Sequence, residues 1–244
     1  MAQLLVSIRD TAEAEMINDC DVAIVDVKEP TRGSLGAATP KMLESISQVI
    51  TQPQTLSFAA GELSDWLSPN RQSLNQSPGK YYESVWNRFD FIKLGLAGIG
   101  KENHHWQTPL QLFFDEIPKS GKTKPVVVSY LDFQSSQSPS PRELIDFASS
   151  LDDCSTILFD TFRKSENSIA FHSQLGLTDL IAKAKSQGLT TVLAGSITAE
   201  SLPTALISKP DFIGVRGAVC DSQRTGSINT NRVNEFARAL QQPN

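Results

Sequence analysis

Two lysines lie in segments that predict buried strands. Lys28 follows the apolar run Val22–Val27, and Lys93 lies within the run Phe89–Leu94. Burying an ammonium group costs free energy unless the group finds a partner or loses its proton. A lysine with a lowered pKa can attack a carbonyl carbon and form a Schiff base. The alternative is a lysine at a strand end whose amine reaches solvent, but two such lysines with acidic neighbours favour the catalytic interpretation.

Other charged residues occupy comparable positions. Alternate side chains of a strand share one face, so Asp26 and Lys28 point to the same side. Asp160 ends the predicted strand Thr156–Asp160, and Lys164 follows in the next loop. Carboxylates and ammonium groups placed together perturb one another's pKa values, as proton transfer around an imine requires. The catalytic candidates are therefore Asp26, Lys28, Lys93, Asp160 and Lys164.

Short apolar strands alternate with amphipathic helices along the chain. The predicted strands are Gln3–Ser7, Val22–Val27, Thr55–Ala59, Phe89–Leu94, Pro125–Tyr130, Thr156–Asp160, Thr190–Ala194 and Phe212–Val215. The predicted helices are Thr11–Asp19, Pro40–Ile50, Gly79–Arg88, Pro109–Ile117, Arg142–Ser149, Leu177–Gln187, Ala199–Ile207 and Thr230–Leu240. Strands buried on both faces and separated by helices indicate a parallel sheet. This pattern predicts a single α/β domain over residues 1–244, a (β/α)8 TIM barrel, with a doubly wound open sheet as the competing architecture.

In a barrel, the carboxyl ends of all strands open on one rim, so the candidate residues would meet in one cleft. Two polar segments on that rim, Ser64–Pro78 and Gln134–Pro141, predict long loops. Such loops serve as lids or are tolerated insertions, and the sequence favours neither. Asp132, after the fifth strand, could add a third carboxylate, but a surface turn is the favoured interpretation of that residue.

Glycines after the last two strands predict a phosphate site. Loops at these positions of a barrel bind phosphate through backbone N–H groups, and glycine lets the backbone approach the anion. A weaker signal of the same kind follows the second strand. Each glycine alone could instead mark a plain turn. The phosphate-binding candidates are Gly195, Ser196, Arg216, Gly217, Ala218, Gly33 and Ser34.

The overall charge limits the classes of partner. The formal net charge is −5, from 22 Lys and Arg against 27 Asp and Glu, and no basic stripe is present. This composition excludes nucleic acid and anionic membranes as partners. A small anionic substrate would therefore be held by a local site. Barrels of this size often self-associate, and we expect a homo-oligomer.

Cysteine and histidine usage argues against disulfides and metals. The cysteines Cys20, Cys154 and Cys220 are scattered and follow no ligand spacing. His104 and His105 are adjacent and point in different directions, so they form a poor metal pair. The first strand begins close to the amino terminus, which leaves no room for a signal peptide, and no apolar run approaches the ~20 residues of a membrane helix. We expect a cytoplasmic protein without a metal.

Several motifs resemble those of the (5-formylfuran-3-yl)methyl phosphate synthase family, the aldolase-like enzymes of methanofuran and methylofuran biosynthesis. The matching stretches are DVAIVDVKEPTRGSLGA (Asp21–Ala37), FIKLGLAG (Phe91–Gly98), FDT with the lysine of Phe159–Lys164, LAGSI (Leu193–Ile197) and IGVRGAVC (Ile213–Cys220). They run in order from the second strand to the last, so the resemblance spans nearly the whole chain. One departure is Glu62, where the family leads us to expect aspartate.

The resemblance implies a (β/α)8 barrel without metal or organic cofactor. It also implies a reaction, the condensation of two glyceraldehyde 3-phosphate molecules with loss of one phosphate and two waters. The Schiff-base lysine of the family falls on Lys28 and its second essential lysine on Lys93. Its remaining acid and lysine positions fall on Asp26, Asp160 and Lys164. An exchange of roles between Lys28 and Lys93 remains open.

Two other functions remain compatible with the sequence. One is another imine-forming aldolase that acts on a different phosphosugar and shares Lys28 and the phosphate loops. The other is a non-catalytic barrel that binds a phosphorylated ligand and uses its lysines only as phosphate clamps.

Overall fold

The computed structural model describes residues 1–51, 54–69, 76–99, 105–165, 167–171 and 175–241. Within these ranges, eight parallel strands form a closed barrel in sequence order, and β8 closes the sheet on β1. The strands are β1 (Gln3–Ile8), β2 (Ile24–Val27), β3 (Thr55–Glu62), β4 (Phe91–Gly95), β5 (Lys124–Tyr130), β6 (Thr156–Asp160), β7 (Thr190–Leu193) and β8 (Phe212–Val215). The predicted barrel is confirmed, and the open-sheet alternative is wrong because the sheet has no edge.

Helices connect the strands around the outside of the barrel. They are α1 (Thr11–Ile17), α2 (Pro40–Val49), α3 (Leu63–Trp66), α4 (Pro78–Tyr81), α5 (Gln107–Asp115), α6 (Phe133–Ser136), α7 (Pro141–Ser150), α8 (Leu177–Ser186), α9 (Leu202–Ile207) and α10 (Thr230–Gln241). Local sequence sets the start of α7 through a capping box. The Ser140 hydroxyl accepts a hydrogen bond from the Glu143 N–H, and the Glu143 carboxylate accepts one from the Ser140 N–H. Pro141 then occupies the first position of the helix. No helix among the described residues is long and apolar enough to cross a bilayer.

The structure corrects three element predictions. The predicted helix Gly79–Arg88 is a single helical turn, α4, followed by turns. The segment ends at Asn87, which has a φ of 70° and accepts a hydrogen bond from the Lys122 N–H through its side chain. The predicted helix Ala199–Ile207 begins only at Leu202. The predicted loop Gln134–Pro141 largely overlaps α6 and the start of α7. Part of the predicted loop Ser64–Pro78 and His104 lie outside the described residues.

Two apolar layers form on either side of the sheet. The outer layer packs strands against helices and contains Phe58, whose ring contacts Tyr82 and Phe89 at centroid distances of 4.9 and 5.1 Å. The inner layer fills the barrel with residues such as Ile24 and Val126. Along each strand, side chains point alternately to the outer and the inner layer. The polar residues of the inner face therefore point into the barrel.

Register aligns these polar residues across neighbouring strands. Asp26 of β2 pairs with Ser7 of β1 on one side and with Ser57 of β3 on the other. Lys93 of β4 pairs with Ala59, two residues beyond Ser57 on the same face of β3. Pairing therefore brings the Asp26 carboxylate and the Lys93 ammonium together at the centre of the barrel.

A buried ion pair fixes the chain after β8 to α1. The Arg216 guanidinium donates to Glu13 through both terminal nitrogens, at 2.8 and 3.0 Å, and both side chains are 3% exposed. Removing one partner of such a pair leaves an uncompensated buried charge.

We therefore expect Glu13→Ala to lower the free energy of unfolding by about 3–5 kcal/mol. Urea unfolding followed by circular dichroism measures this difference. Asp153→Ala is the matched control, because Asp153 pairs with Lys124 on the surface, where a salt bridge contributes about 0–1 kcal/mol. Equal stability of the Glu13→Ala variant and the parent would contradict the prediction.

Candidate active site

The floor of the site is an ion pair between Lys93 and Asp26. Their side chains are 5% and 1% exposed and in direct contact. The Ser7 and Ser57 hydroxyls donate to the two oxygens of Asp26, at 2.9 and 2.8 Å. Burial raises the pKa of Asp26, but the charges of Lys93 and Lys28 and these hydrogen bonds outweigh burial and lower it. The carboxylate is therefore held ionised beneath the cleft.

A second ion pair joins the end of β6 to the loop after it. The Lys164 ammonium donates to Asp160 Oδ1 at 2.6 Å and to the Thr161 carbonyl at 2.6 Å. The Ser34 hydroxyl donates to the other oxygen, Oδ2, at 3.1 Å. Burial raises the pKa of Asp160, but Lys164 and Lys28 lower it to a greater extent, and burial lowers the pKa of Lys164.

Lys28 differs from the other two lysines. Among the described residues, no carboxylate forms an ion pair with its amine, whereas Lys93 and Lys164 each have one. Removal from water lowers the pKa of Lys28 to about 7, helped by the positive charges of Lys164 and Lys93 and opposed by the carboxylates. A large fraction of this amine is therefore neutral near pH 7, which is the nucleophilic form.

All five catalytic candidates line one cleft at the carboxyl ends of the strands, with a volume of about 380 Å³. The cleft continues from the lysines to the loops after β7 and β8. There Gly195 has a φ of 101° and Ser196 a φ of 54°. A Cβ at Gly195 would lie 3.0 Å from the Thr161 nitrogen, and the positive φ would strain any other residue, so glycine suits this position. Gly217 and Ala218 line the same end of the cleft.

Three of the predicted phosphate ligands have other roles. The Arg216 guanidinium is engaged by Glu13 and by the carbonyls of Ser7, Arg224 and Gly226, so its N–H groups are already used. A buried carboxylate neutralises this guanidinium, and Arg216 also lines the cleft, so its role as a phosphate ligand stays a prediction. The Ser34 hydroxyl orients Asp160, and Gly33 offers its carbonyl to Arg224.

Arg224 is a cleft residue that the sequence interpretation missed. Its guanidinium lines the cleft and donates to the Gly33 carbonyl at 2.8 Å. Burial lowers the pKa of Arg224, and within the described part of the chain no carboxylate forms an ion pair with it. A desolvated cation without a paired anion fits a phosphate group. No strand pattern marks its loop, so only the position after β8 could have suggested it.

The interpretation of Asp132 as a surface turn residue is wrong. Asp132 is 5% exposed, and its two oxygens accept from the Phe162 and Arg163 N–H groups at 2.8 and 2.9 Å. It therefore holds the loop that carries Lys164, and it does not line the cleft.

A carboxyl–phenol pair lies beside the cleft and was also missed. The Tyr130 hydroxyl donates to Glu62 Oε1 at 2.6 Å, and the Ala97 N–H donates to Oε2 at 2.9 Å. Burial raises the pKa of Glu62 and raises that of Tyr130 well above its usual value. A Cβ at Gly95 would overlap the Glu62 carboxylate, so Gly95 makes room for it.

Comparison with known proteins identifies the family. A family model described as 4-HFC-P synthase matches residues 4–237. The chain belongs to the 4-HFC-P synthase family. Relatives named (5-formylfuran-3-yl)methyl phosphate synthase include that of Methanosarcina barkeri, 29% identical over 98% of this chain and 99% of the relative. That of Methanocaldococcus jannaschii is 30% identical, with 98% of each chain covered. The chain is therefore an enzyme of this synthase family.

Solved structures support the fold of this 4-HFC-P synthase family member. A putative copper homeostasis protein, CutC, from Streptococcus agalactiae superimposes with a TM-score of 0.66, covering 88% of this chain and 98% of its own. The 3-hexulose-6-phosphate synthase from Salmonella typhimurium superimposes with a TM-score of 0.59, covering 98% of this chain and 99% of its own. Both are 12% identical in sequence, so they show the barrel fold alone.

Two substitutions are expected to shift the pKa of Lys28 in opposite directions. Asp160→Asn removes a negative charge that favours the ammonium form, so the pKa falls further below its parent value of about 7. Lys164→Met removes a positive charge, so the pKa rises. The pH dependence of Lys28 modification by an amine-reactive reagent, followed by peptide mass analysis, measures both shifts, since only the neutral amine reacts.

Arg142→Met is the control, because Arg142 is exposed on α7 and outside the cleft. We expect its modification profile to match that of the parent. Shifts of the same sign in both site variants would show that charge does not set the pKa of Lys28.

Proposed function

We propose that the protein condenses two molecules of glyceraldehyde 3-phosphate into (5-formylfuran-3-yl)methyl phosphate through a Schiff base at Lys28. One phosphate and two waters leave, which balances the atoms of two trioses against one furan aldehyde. The observation that carries the proposal is the Lys28 amine of lowered pKa, which lies between two ion-paired lysines and has no ion-pair partner of its own in the described ranges. Membership of the 4-HFC-P synthase family supports this reaction and its assignment to methanofuran biosynthesis.

The first step is attack of the neutral Lys28 amine on the aldehyde carbon of one triose phosphate. The adduct loses water and gives an iminium ion that carries the positive charge of the lysine. Asp160 and Asp26 face this charge and favour the ammonium form of Lys28 in the free protein. The same two carboxylates stabilise the iminium ion, because it has the charge of that ammonium group.

The iminium ion acidifies the adjacent carbon, so loss of its proton and then of the phosphate becomes accessible. The electron pair of the lost proton leaves with the phosphate, and the product still carries an enol. The carbon that held the phosphate is the nucleophilic carbon of this enol; it attacks a carbonyl carbon of the second triose, and loss of two waters completes the furan ring. Lys164 lies at the cleft and carries a proton on a nitrogen of lowered pKa, so it suits the role of acid for the leaving hydroxyl groups. Lys93 forms an ion pair with Asp26, and its role is to keep the Asp26 carboxylate ionised and in place beneath the cleft.

The Gly195–Ser196 segment, Gly217, Ala218 and Arg224 form the phosphate end of the cleft. Backbone of positive φ at Gly195 and Ser196 turns the chain tightly around this end. The Arg224 guanidinium supplies positive charge there, whereas Glu13 neutralises Arg216. A triose phosphate bound there extends its aldehyde toward Lys28 at the other end of the cleft.

Lys28→Ala is expected to reduce furan formation to the background rate, because the nucleophile is gone. Borohydride reduction during incubation with glyceraldehyde 3-phosphate, then peptide mass analysis, should place an adduct on Lys28 in the parent and none in the variant. Lys119→Ala, a change of an exposed lysine outside the cleft, is the control. An adduct on Lys93 would show that Lys93 forms the imine. Tight binding of glyceraldehyde 3-phosphate without any adduct would favour a binding protein without catalytic activity. An adduct without a furan product would indicate a different aldolase.

Arg224→Met is expected to raise the KM for glyceraldehyde 3-phosphate by roughly 10- to 100-fold. The reason is that a hydrogen bond to a charged group contributes about 1.5–3 kcal/mol. Steady-state kinetics by furan absorbance measures the change, and Arg142→Met is the control on the outer surface. An unchanged KM would place the phosphate away from the loop after β8.

A further inference from the structure

The loop after β8 has no apolar side chain that could anchor it. Residues 221–227 have the sequence DSQRTGS, and Arg224 of this loop lines the cleft. An antiparallel bridge between Cys220 and Ile228 closes the base of the loop. Because apolar burial does not hold the rest of the loop, its position depends on hydrogen bonds to its backbone.

Two arginines hold three successive carbonyl groups of this loop. The Arg216 guanidinium donates to the carbonyls of Arg224 and Gly226, at 2.5 and 3.2 Å. The Arg9 guanidinium donates to the Thr225 carbonyl between them, at 2.6 Å. Hydrogen bonds from a charged donor are stronger than neutral ones, so these contacts fix the stretch of backbone that carries the Arg224 side chain.

Glu13 of α1 pairs with both arginines. Its two oxygens accept from the Arg216 guanidinium at 2.8 and 3.0 Å, and its Oε1 lies 3.5 Å from the Arg9 Nε. The Glu13 Oε2 also accepts from the Arg9 backbone N–H at 2.9 Å, and Asp10 accepts from the Arg9 Nε at 3.3 Å. Carboxylates thus neutralise both guanidinium groups and orient them, so that other N–H groups of each reach the carbonyls of the loop.

The side chain that these contacts place is the Arg224 guanidinium. It donates to the Gly33 carbonyl at 2.8 Å, which joins the loop after β8 to the segment after β2. Within the described ranges, its remaining N–H groups form no further hydrogen bond. They are therefore available to the oxygens of a phosphate group, which a guanidinium binds through two parallel hydrogen bonds.

We propose that Arg9, Arg216 and Glu13 are positioning residues that present Arg224 to the phosphate group of the triose substrate. The inference rests on the proposed function, which assigns the phosphate end of the cleft. Arg9 and Glu13 lie outside the cleft, so they act through the loop and not by contact with the substrate. If the loop spends less time in the conformation that places Arg224 at the cleft, the apparent dissociation constant for a phosphate ester rises in proportion.

Arg9→Met tests this role, because the Arg9 side chain is 29% exposed and its loss removes one contact of the loop without emptying the core. Arg216 is less suitable, since it lines the cleft and its loss would also remove a predicted phosphate ligand. The probe is glycerol 3-phosphate, which carries a phosphate ester but no aldehyde and cannot form a Schiff base. We expect its dissociation constant, measured by isothermal titration calorimetry, to rise roughly 3- to 10-fold as the competent fraction of the loop falls.

A double variant separates positioning from a direct effect of charge. If Arg9 acts through Arg224, Arg9→Met combined with Arg224→Met should bind glycerol 3-phosphate no more weakly than Arg224→Met alone. Losses that add would show that Arg9 attracts the phosphate by its own charge, and would overturn the proposal. An unchanged dissociation constant in Arg9→Met would overturn it too, because the loop would then keep its position without Arg9.

Arg88→Met is the matched control for the Arg9 substitution. Arg88 is exposed, lies outside the cleft and likewise donates to a backbone carbonyl, that of Ser84, at 3.1 Å. We expect this variant to bind glycerol 3-phosphate with the parental dissociation constant. Circular dichroism and thermal unfolding confirm that each variant is folded.

Steady-state kinetics separate failure of this proposal from failure of the proposed function. In Arg9→Met we expect the KM for glyceraldehyde 3-phosphate to rise and kcat to stay near its parental value, because Lys28 and its neighbouring carboxylates are untouched. A lower kcat with an unchanged KM would overturn the positioning role.

Two further outcomes distinguish the proposals. If the parent forms furan and Arg9→Met keeps the parental dissociation constant and KM, the positioning role is wrong and the proposed function stands. If Arg9→Met weakens glycerol 3-phosphate binding but the parent forms neither furan nor a Lys28 adduct, the positioning role stands and the proposed function fails.

Discussion

The site depends on an unequal distribution of charge inside the barrel. Three lysines and two aspartates share the cleft, and each aspartate binds one lysine closely. The third lysine, Lys28, is left with neighbouring charges but no ion-pair partner among the described residues. Desolvation then dominates, and the pKa of its amine falls to about 7. The same charges that keep Asp26 and Asp160 ionised thus make Lys28 a nucleophile.

The barrel makes this arrangement stable. Closure brings β2, β4 and β6 to one rim although long stretches of sequence separate them. The Lys93–Asp26 ion pair forms because the register of β1 to β4 places Ser7, Asp26, Ser57 and Lys93 next to one another. Buried carboxylates need such partners, because each one without them would take up a proton instead.

The two arginines after β8 also differ in whether a carboxylate pairs with them. Arg216 follows β8 and is neutralised by Glu13, so it binds the chain to α1. Arg224, eight residues further along, remains without a carboxylate in the described structure and faces the cleft. Of two arginines in one loop region, one stabilises the fold and the other suits an anionic ligand. The positions alone do not distinguish them, because the Arg216–Glu13 pair spans 203 residues.

The sequence by itself determined the barrel, its strand positions within a few residues, and the five charged residues of the cleft. Local patterns carry that information, because apolar runs specify strands and the fold places their ends on one rim. Only the tertiary structure decided which lysine has no ion-pair partner among the described residues and that Arg216 is neutralised. It also decided that Asp132 and Tyr130 are buried, and Glu62 half-buried, beside the site. Those outcomes depend on which side chain meets which across distant strands, and no local pattern encodes these contacts.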